Sequence, residues 1–270
     1  QSSNAKQLID SLLVRKHEIH NSDTLKDILK DIRNAIKSSP LDFRLINAIN
    51  DKVLAHGDCV QLRFRSSTNA EDSDGFSGAG LYKSKTGILN DEKQTFEEAI
   101  KKVWASLWSF EAFSEREYYN IDHKVVFMGI LVHRSFPNEE VNGVAITKNL
   151  YRRDNYGFVV NAQIGNESVV KPKQGTVTDQ FICYPNDADN IYKNKNTVDI
   201  ITQSSLNDNR LVMTETEIQN LANQLELIKK YFFRHTFTSK SYLEFGLDVE
   251  FKLESENREL YIKQIRLYND

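Results

Sequence analysis

Apolar residues recur at three- and four-residue spacing through "AKQLIDSLLVRKHEIH" and again through "TLKDILKDIRNAIKSS", the period of an amphipathic helix. The break between them, "NSDTLKD", offers Ser22 or Asp23 as the cap of the second helix. "SSPLDFRLINAINDKVLAHGD" predicts a third helix, with Ser39 before Pro40 at its start and Gly57 at its end. The first 56 residues contain no glycine and one proline. Outside their apolar stripes they are polar, so they read as packing material without chemistry.

From Cys59 the period changes. "CVQLRFRS" alternates like a strand, a polar loop follows, and "GLYKSKTG" returns as another strand. "DEKQTFEEAIKKVWASLWSFEAFSEREYYN" reads as two helices. Strands are expected in "KVVFMGILVHRSF", "VNGVAITKN", "YGFVVNAQI" and "DQFICYP". After the polar stretch 186–210, "TETEIQNLANQLELIKKYFFRHT" is an amphipathic helix opening on a Thr/Glu capping pattern. Two alternating strands, "YLEFGLDVEFKL" and "ELYIKQIRLY", close the chain around the turn "ESENR". Helices mixed with largely antiparallel strands give an α+β fold, divided here into a helical segment 1–58 and a sheet-bearing portion 59–270.

Composition narrows the function by exclusion. A chain of 270 residues, 40% apolar and 27% charged, is long enough for one large or two modest folded domains. A net charge of −3 argues against general affinity for nucleic acid or anionic membrane. No run approaches the roughly 20 apolar residues a transmembrane helix needs, and the start "QSSNAKQLID" has no secretory pattern. Cys59 and Cys183 make no disulfide framework and no zinc spacing. Buried reduced thiols in a cytoplasmic protein are the plain reading of the pair.

Three stretches carry candidate chemistry. In "GLDVEF", Asp248 and Glu250 stand two apart and share one strand face, while Val249 and Phe251 face the core. In the partner strand, Ile262, Gln264 and Arg266 share one face and Tyr261, Lys263 and Ile265 the other. Two carboxylates with open positions suit Mg²⁺; a solvated strand face with a cross-strand Arg–carboxylate pair fits the same spacing. In "FRSSTNAEDSDGFSGAG", Arg65 can fork two phosphate oxygens. Ser66, Ser67 and Thr68 add short donors, and Gly75, Gly78 and Gly80 let backbone N–H groups approach an anion. Glu71, Asp72 and Asp74 repel a bare phosphate, so either a metal intervenes or these acids point away. In "NAQIGNESVVKPKQG", Asn161, Gln163 and Glu167 either contact a ribose or base edge or cap a turn.

These stretches together resemble one family. "FRSSTNAEDSDGFSGAG" is similar to the V-R-S-S-A-x-x-E-D signature and trailing glycine-rich loop of the nucleotide-binding domain of phosphoenolpyruvate synthase and pyruvate, phosphate dikinase. "AIKKVWASLWSFEAFSER" resembles the family helix that follows, and "VNGVAITKN" its S-G-V-x-F-T-x-N-P strand and turn. "NAQIGNESVV" resembles the segment ending G-E-x-V-V, and "LDVEF…LYIKQIR" the closing D-I-E-W…L-Y-I-L-Q-x-R-P. The blocks run in the family's order from about residue 60 to residue 266. "GAGLYKS" is closer to the bacterial synthase-like proteins and the glucan, water dikinases.

The resemblance implies an ATP-grasp domain that uses Mg²⁺ and ATP to phosphorylate a histidine on a separate swivelling domain. A further domain then passes the group to pyruvate, or to glucan in the water dikinases. It implies nucleotide contacts by Arg65, Ser66, Ser67, Gly78, Lys148, Glu167, Asp248, Glu250, Gln264 and Arg266. Of these, Asp248 and Glu250 hold the metal, Arg65 acts on the polyphosphate, and Arg266 orients the acids. Four departures stand out. The family's N-terminal lysine in a glycine-rich stretch has no match ahead of Gly57, and the phosphohistidine motif T-S-H-A has none at all. His133, in the place of a family glutamine, is either a structural histidine or a base contact. Leu150 replaces a proline, loosening the turn that places Lys148. His235 ends an amphipathic helix and reads as structural. The chain thus reads as a portion of a longer dikinase, lying between the lysine loop and the swivelling domain. A glucan-directed domain and a non-catalytic module keeping the fold are the alternatives; joint retention of Arg65, Asp248, Glu250 and Gln264 weighs against the latter.

Overall fold

A computed structural model describes residues 4–55, 61–70, 72–73, 76–78, 80–152, 154–165, 167–170, 172–186, 197–254 and 257–268. The chain divides into two compact units, Gln1–Ser135 and Phe136–Asp270. Both combine helices with antiparallel strands, the α+β class that the pattern predicts.

The first unit opens with α1 (Asn4–Arg15), a 3-10 turn (Lys16–Glu18), α2 (Ser22–Ser38) and α3 (Phe43–Ala55). The cap of α2 is Asn21, neither Ser22 nor Asp23: its side-chain oxygen accepts from the Asp23 and Thr24 amides at 2.7 and 3.4 Å, so Ser22 already lies in the first turn. Ser39 closes α2, its amide bonding Ala35 O, and therefore cannot start α3. That role falls to Asp42, whose carboxylate accepts from the Arg44 amide at 2.9 Å. Gly57, placed at the end of this helix from sequence, lies outside the described residues, as do Cys59, Glu71, Asp74 and Gly75.

A three-stranded sheet follows in the order β4–β1–β5, from β1 (Gln61–Thr68), β4 (Lys85–Ile88) and β5 (Met128–Arg134). Between β1 and β4 lies the short pair β2 (Asp72–Ser73) and β3 (Phe76–Ser77). The expected strand "GLYKSKTG" forms only from Lys85, because the Leu81 amide turns back to Gly78 O. Helices α4 (Phe96–Ser106) and α5 (Phe110–Tyr118) follow β4. Alternation along β1 puts Leu62 and Phe64 into a core with Phe96, Ile100 and Val103 of α4. It leaves Arg63 and Arg65 on the opposite face. A second core joins α1, α2 and α5 around Leu12, Leu29, Ile32, Trp108 and Phe113.

The second unit is a six-stranded antiparallel sheet in the order β11–β10–β6–β7–β8–β9. Its strands are β6 (Glu139–Ile146), β7 (Phe158–Ile164), β8 (Asp179–Cys183), β9 (Val198–Thr202), β10 (Leu247–Glu254) and β11 (Glu259–Leu267). The edge strand β9 falls inside the stretch 186–210 that reads as polar connection; "VDIIT" is short, and Ile200 and Ile201 stay exposed, so no buried face marks it. Helix α6 (Glu215–His235) covers one face through Ile218, Leu221, Ala222 and Leu225. Its Thr214/Glu217 capping box forms as the pattern predicts. Arg258 clamps Glu217 at 2.6 Å, tying the β10–β11 turn to the start of this helix. Across the centre, Gly143 makes room for Phe251: a Cβ there would meet the ring at 2.2 Å.

Candidate functional site

The face of the second unit's sheet away from α6 gathers the predicted carboxylates. In the β10–β11 pairing Asp248 stands opposite Arg266 and Glu250 opposite Gln264, so all four belong to one face. Val249 and Phe251 point into the core, as the alternation requires. The register then shifts by one residue, because Phe251 pairs with Ile262 and leaves Lys263 as an extra residue on β11. This bulge corrects two placements drawn from strict alternation. Ile262 packs against the core instead of sharing the face of Gln264 and Arg266. Lys263 reaches Glu250, Nζ to Oε2 at 3.4 Å.

Asp248 is half-buried, and among the described residues its Oδ1 is a buried acceptor without a hydrogen-bond donor. Burial first, then the like charge of Glu250, raises its carboxyl above the ordinary range, against the opposing pull of Arg266. A buried carboxylate oxygen with no donor, beside a second carboxylate, fits an oxygen-seeking divalent cation. Among the described residues no group of three or more His, Cys, Asp and Glu side chains could enclose a metal on its own. A cation here would take the rest of its shell from water or phosphate oxygens, as Mg²⁺ commonly does.

One step further along the same face comes Lys148. Ile146 pairs with Asp248 and Asp248 with Arg266, so the next row in phase holds Lys148, Gly246 and Tyr268. Lys148 is buried, its ammonium 5.5 Å from the centre of the Tyr268 ring. A Cβ on Gly246 would lie 3.1 Å from the Lys148 side chain and 3.3 Å from Tyr268. The turn after Lys148 is not loosened by Leu150, because the Asn149 side chain accepts from the Tyr151 and Arg152 amides at 3.0 and 2.9 Å. Behind it, Lys229 of α6 donates to Thr147 O at 2.6 Å, among the rings of Tyr156, Phe158 and Tyr242. Burial lowers this lysine to about 8. Its spacing on the apolar stripe of α6, four after Leu225, is the signal that sequence reading passed over.

Of the remaining candidates of this unit, all but Asn161 are held by internal contacts. Gln163 is fully buried, donating to Val177 O and accepting from Ser204 Oγ and the Ile164 amide. Glu167 pairs with Lys173 at 2.6 Å, while Asn142 holds its backbone carbonyl and that of Gly165. Asn161 lies in the row of Val144 and Glu250, and its Oδ1 is buried with no donor among the described residues. His235 donates to Tyr231 O at 2.7 Å and stacks on that ring at the helix end, the structural role expected of it. The Cys183 thiol is buried and pushed up to about 12, hence inert.

In the first unit, Arg65 and Ser67 share the face of β1 that carries Arg63, and Ser66 shares that of Phe64. Arg63 bonds Thr86 Oγ1 at 3.1 Å, and burial and the Arg65 charge hold its guanidinium below the usual range. A second arginine two residues ahead on a strand was legible from the period but had not been singled out. His133 pairs with Arg63 across β1–β5 and so lies on the Arg65 face, its Nδ1 donating to Arg134 O at 2.6 Å. Gly78 is buried and accepts the Leu81 amide, while Gly80 takes φ +79°, the left-handed region that glycine favours.

That loop leads into a buried polar network. Arg116, 1% exposed, donates from Nε to His123 Nδ1 at 3.0 Å, from one terminal nitrogen to Leu107 O and from the other to Tyr82 OH. His123 Nδ1 is therefore the acceptor and Nε2 carries the proton, which it donates to Glu117 at 2.6 Å. Burial and Arg116 lower His123 to about 4, so the ring is neutral. Among the described residues no helix is long and apolar enough to cross a membrane.

With this geometry in view, the chain matches known proteins. The model of the pyruvate phosphate dikinase AMP/ATP-binding domain fits residues 1–269. Over 177 residues the chain is 29% identical to the phosphoenolpyruvate synthase of Pyrococcus furiosus, covering 63% of the chain and 21% of that protein. The phosphoenolpyruvate synthase of Deinococcus radiodurans is 24% identical over 269 residues, covering 92% of the chain and 32% of the relative. A rifampicin phosphotransferase of a Streptomyces species is 24% identical over 145 residues, 54% of the chain and 16% of the relative. The chain thus spans between a sixth and a third of the length of these relatives.

Proposed function

The chain belongs to the family of pyruvate phosphate dikinase AMP/ATP-binding domains, and on that premise we propose that it is the ATP-binding portion of a phosphoenolpyruvate synthase-like dikinase working in the cytoplasm. In this reading it binds ATP with Mg²⁺ and delivers a phosphoryl group to a histidine on a separate swivelling domain, for onward transfer to pyruvate. The observation that carries it is the shared face of Asp248, Glu250, Gln264 and Arg266, with the buried, donor-free Oδ1 of Asp248.

Asp248 and Glu250 would hold Mg²⁺, whose charge offsets that of the phosphates and of the group in flight. Arg266 faces Asp248 across the strand pair and limits the acid's rotamers, and Lys263 does the same for Glu250. Lys148, fixed by the Asn149 turn, supplies an ammonium on that face. Arg65, with Arg63 beside it, supplies guanidinium forks for phosphate oxygens. None of these groups forms a bond to phosphorus; their work is positioning and charge neutralisation.

Titration calorimetry of the chain with ATP and Mg²⁺ tests the reading. Micromolar binding that both Arg65→Ala and Glu250→Ala lose, with unfolding temperatures kept, supports it. Binding that both variants retain overturns the assignment.

A further inference from the structure

We propose that the first unit carries a second anion site, on the α2–α4 side of its sheet, which takes a chain of two or three linked phosphates. A concavity of about 860 Å³ opens there, lined by α2, the segment Gly80–Lys85, α4 and the start of α5. Lys30, Arg33, Lys37, Lys83, Lys85 and Lys102 converge on it, against the acids Asp27 and Glu111. Lys26, Lys30, Arg33 and Lys37 follow one another at helical spacing and so share one face of α2. This local excess of positive charge stands on a chain whose net charge is −3.

Internal pairing takes up only some of these cations. Lys102 pairs with Glu98 at 2.5 Å and Lys26 with Asp23 at 3.0 Å. Among the described residues no carboxylate pairs with Lys30, Lys37, Lys83 or Lys85. Arg33 donates to Trp108 O at 2.7 Å, which fixes its guanidinium in place. The ammonium of Lys37 is lowered by partial burial and then by the charges of Arg33, Lys83, Lys102 and Lys85, so these five groups repel one another. Asp27 and Glu111 offset part of that repulsion, and a multiply charged anion would relieve the rest. The groups come from four separate elements around a hollow, which suits a compact phosphate chain better than an extended acidic surface.

The site is separate from that of Arg65. Lys85 pairs with Phe64 and so lies on the sheet face that α4 covers, whereas Arg65 lies on the other face and does not line the concavity; Arg63 borders a neighbouring hollow with Lys85, Glu98 and Lys102. Two sources share the required chemistry: free oligophosphate and the phosphate chain of a nucleotide.

The test is titration of the chain with sodium tripolyphosphate, and separately with ATP, in about 20 mM salt where screening is weak. Wild type is compared with a double variant Lys37→Gln/Lys85→Gln and with Lys37→Arg/Lys85→Arg. Tripolyphosphate should bind wild type and the arginine pair alike, and the glutamine pair at least about tenfold more weakly. The glutamine pair should unfold no earlier than wild type, since it removes mutual repulsion. If the glutamine pair also binds ATP more weakly, the natural source is a nucleotide; if its ATP affinity is unchanged, the source is free oligophosphate. Equal affinity in the glutamine pair, or no tripolyphosphate binding to wild type, overturns the proposal. So does a hexa-aspartate peptide that binds through these lysines while tripolyphosphate does not, which would make the face a dock for an acidic protein.

Discussion

Asp248 and Arg266 stand directly opposite each other on β10 and β11, and yet the carboxyl of Asp248 lies above its ordinary range. The guanidinium across the strand pair favours the carboxylate, but burial and the neighbouring Glu250 together outweigh it. The proposed Mg²⁺ would relieve this crowding of negative charge, which is the physical basis of the metal proposal.

Neutralising that acid should stabilise the empty protein. The folded-state value of Asp248 is raised, so the folded form holds its proton more tightly than the unfolded chain does. Stability from this group is present at low pH and is lost as pH rises through the raised value. At neutral pH, Asp248→Asn should therefore raise the unfolding temperature by about 2 °C without metal. Thermal unfolding in a chelator is the measurement; an equal fall would show that Asp248 is satisfied in the folded state.

The second titration prediction has the opposite sign. His123 is held neutral, at about 4, by burial and Arg116. Stability from this group is complete above the ordinary histidine value and is lost as pH falls from about 6.5 toward 4, by up to about 3 kcal/mol. His123→Gln keeps an acceptor for Arg116 Nε and should flatten that limb of the pH–stability curve. A curve unchanged by the substitution would place the acid sensitivity elsewhere.

Two glycines of the second unit should respond differently to alanine. At Gly143 the new methyl meets the Phe251 ring at 2.2 Å and the Asn161 carbonyl at 2.9 Å. Gly143→Ala should cost about 2 kcal/mol of stability, the usual range for overpacking. At Gly246 the contacts are 3.1 Å to the Lys148 side chain and 3.3 Å to Tyr268. Gly246→Ala should leave stability within about 1 kcal/mol but weaken ATP binding by displacing Lys148. Urea unfolding and calorimetry separate the two effects, and an unchanged ATP affinity would remove Lys148 from the nucleotide contacts.

Much of this was legible in the sequence because the signals are periodic. Alternation placed Asp248 and Glu250 on one face and Val249 and Phe251 in the core, and three- and four-residue spacing found α1, α2 and α6. A one-residue bulge is invisible to alternation, so Lys263 and Ile262 changed faces. The edge strand β9 escaped because its apolar residues stay exposed. The α2 cap moved to Asn21 because Ser22, Asp23 and Asn21 are all competent, and only geometry selects among them. Lys229 and Arg116 lie on apolar helix stripes, where a cation becomes visible only through its partners: Thr147 O and a ring cage for one, His123 and Leu107 O for the other.

The most direct measurement of the central claim is the affinity for ATP with and without Mg²⁺, in wild type and in Asp248→Asn. If Asp248 and Glu250 hold the metal that accompanies the nucleotide, Mg²⁺ should tighten ATP binding to wild type by about tenfold or more, a gain of about 1.4 kcal/mol, and should leave Asp248→Asn nearly unmoved. An equal Mg²⁺-dependent gain in both proteins would contradict the account.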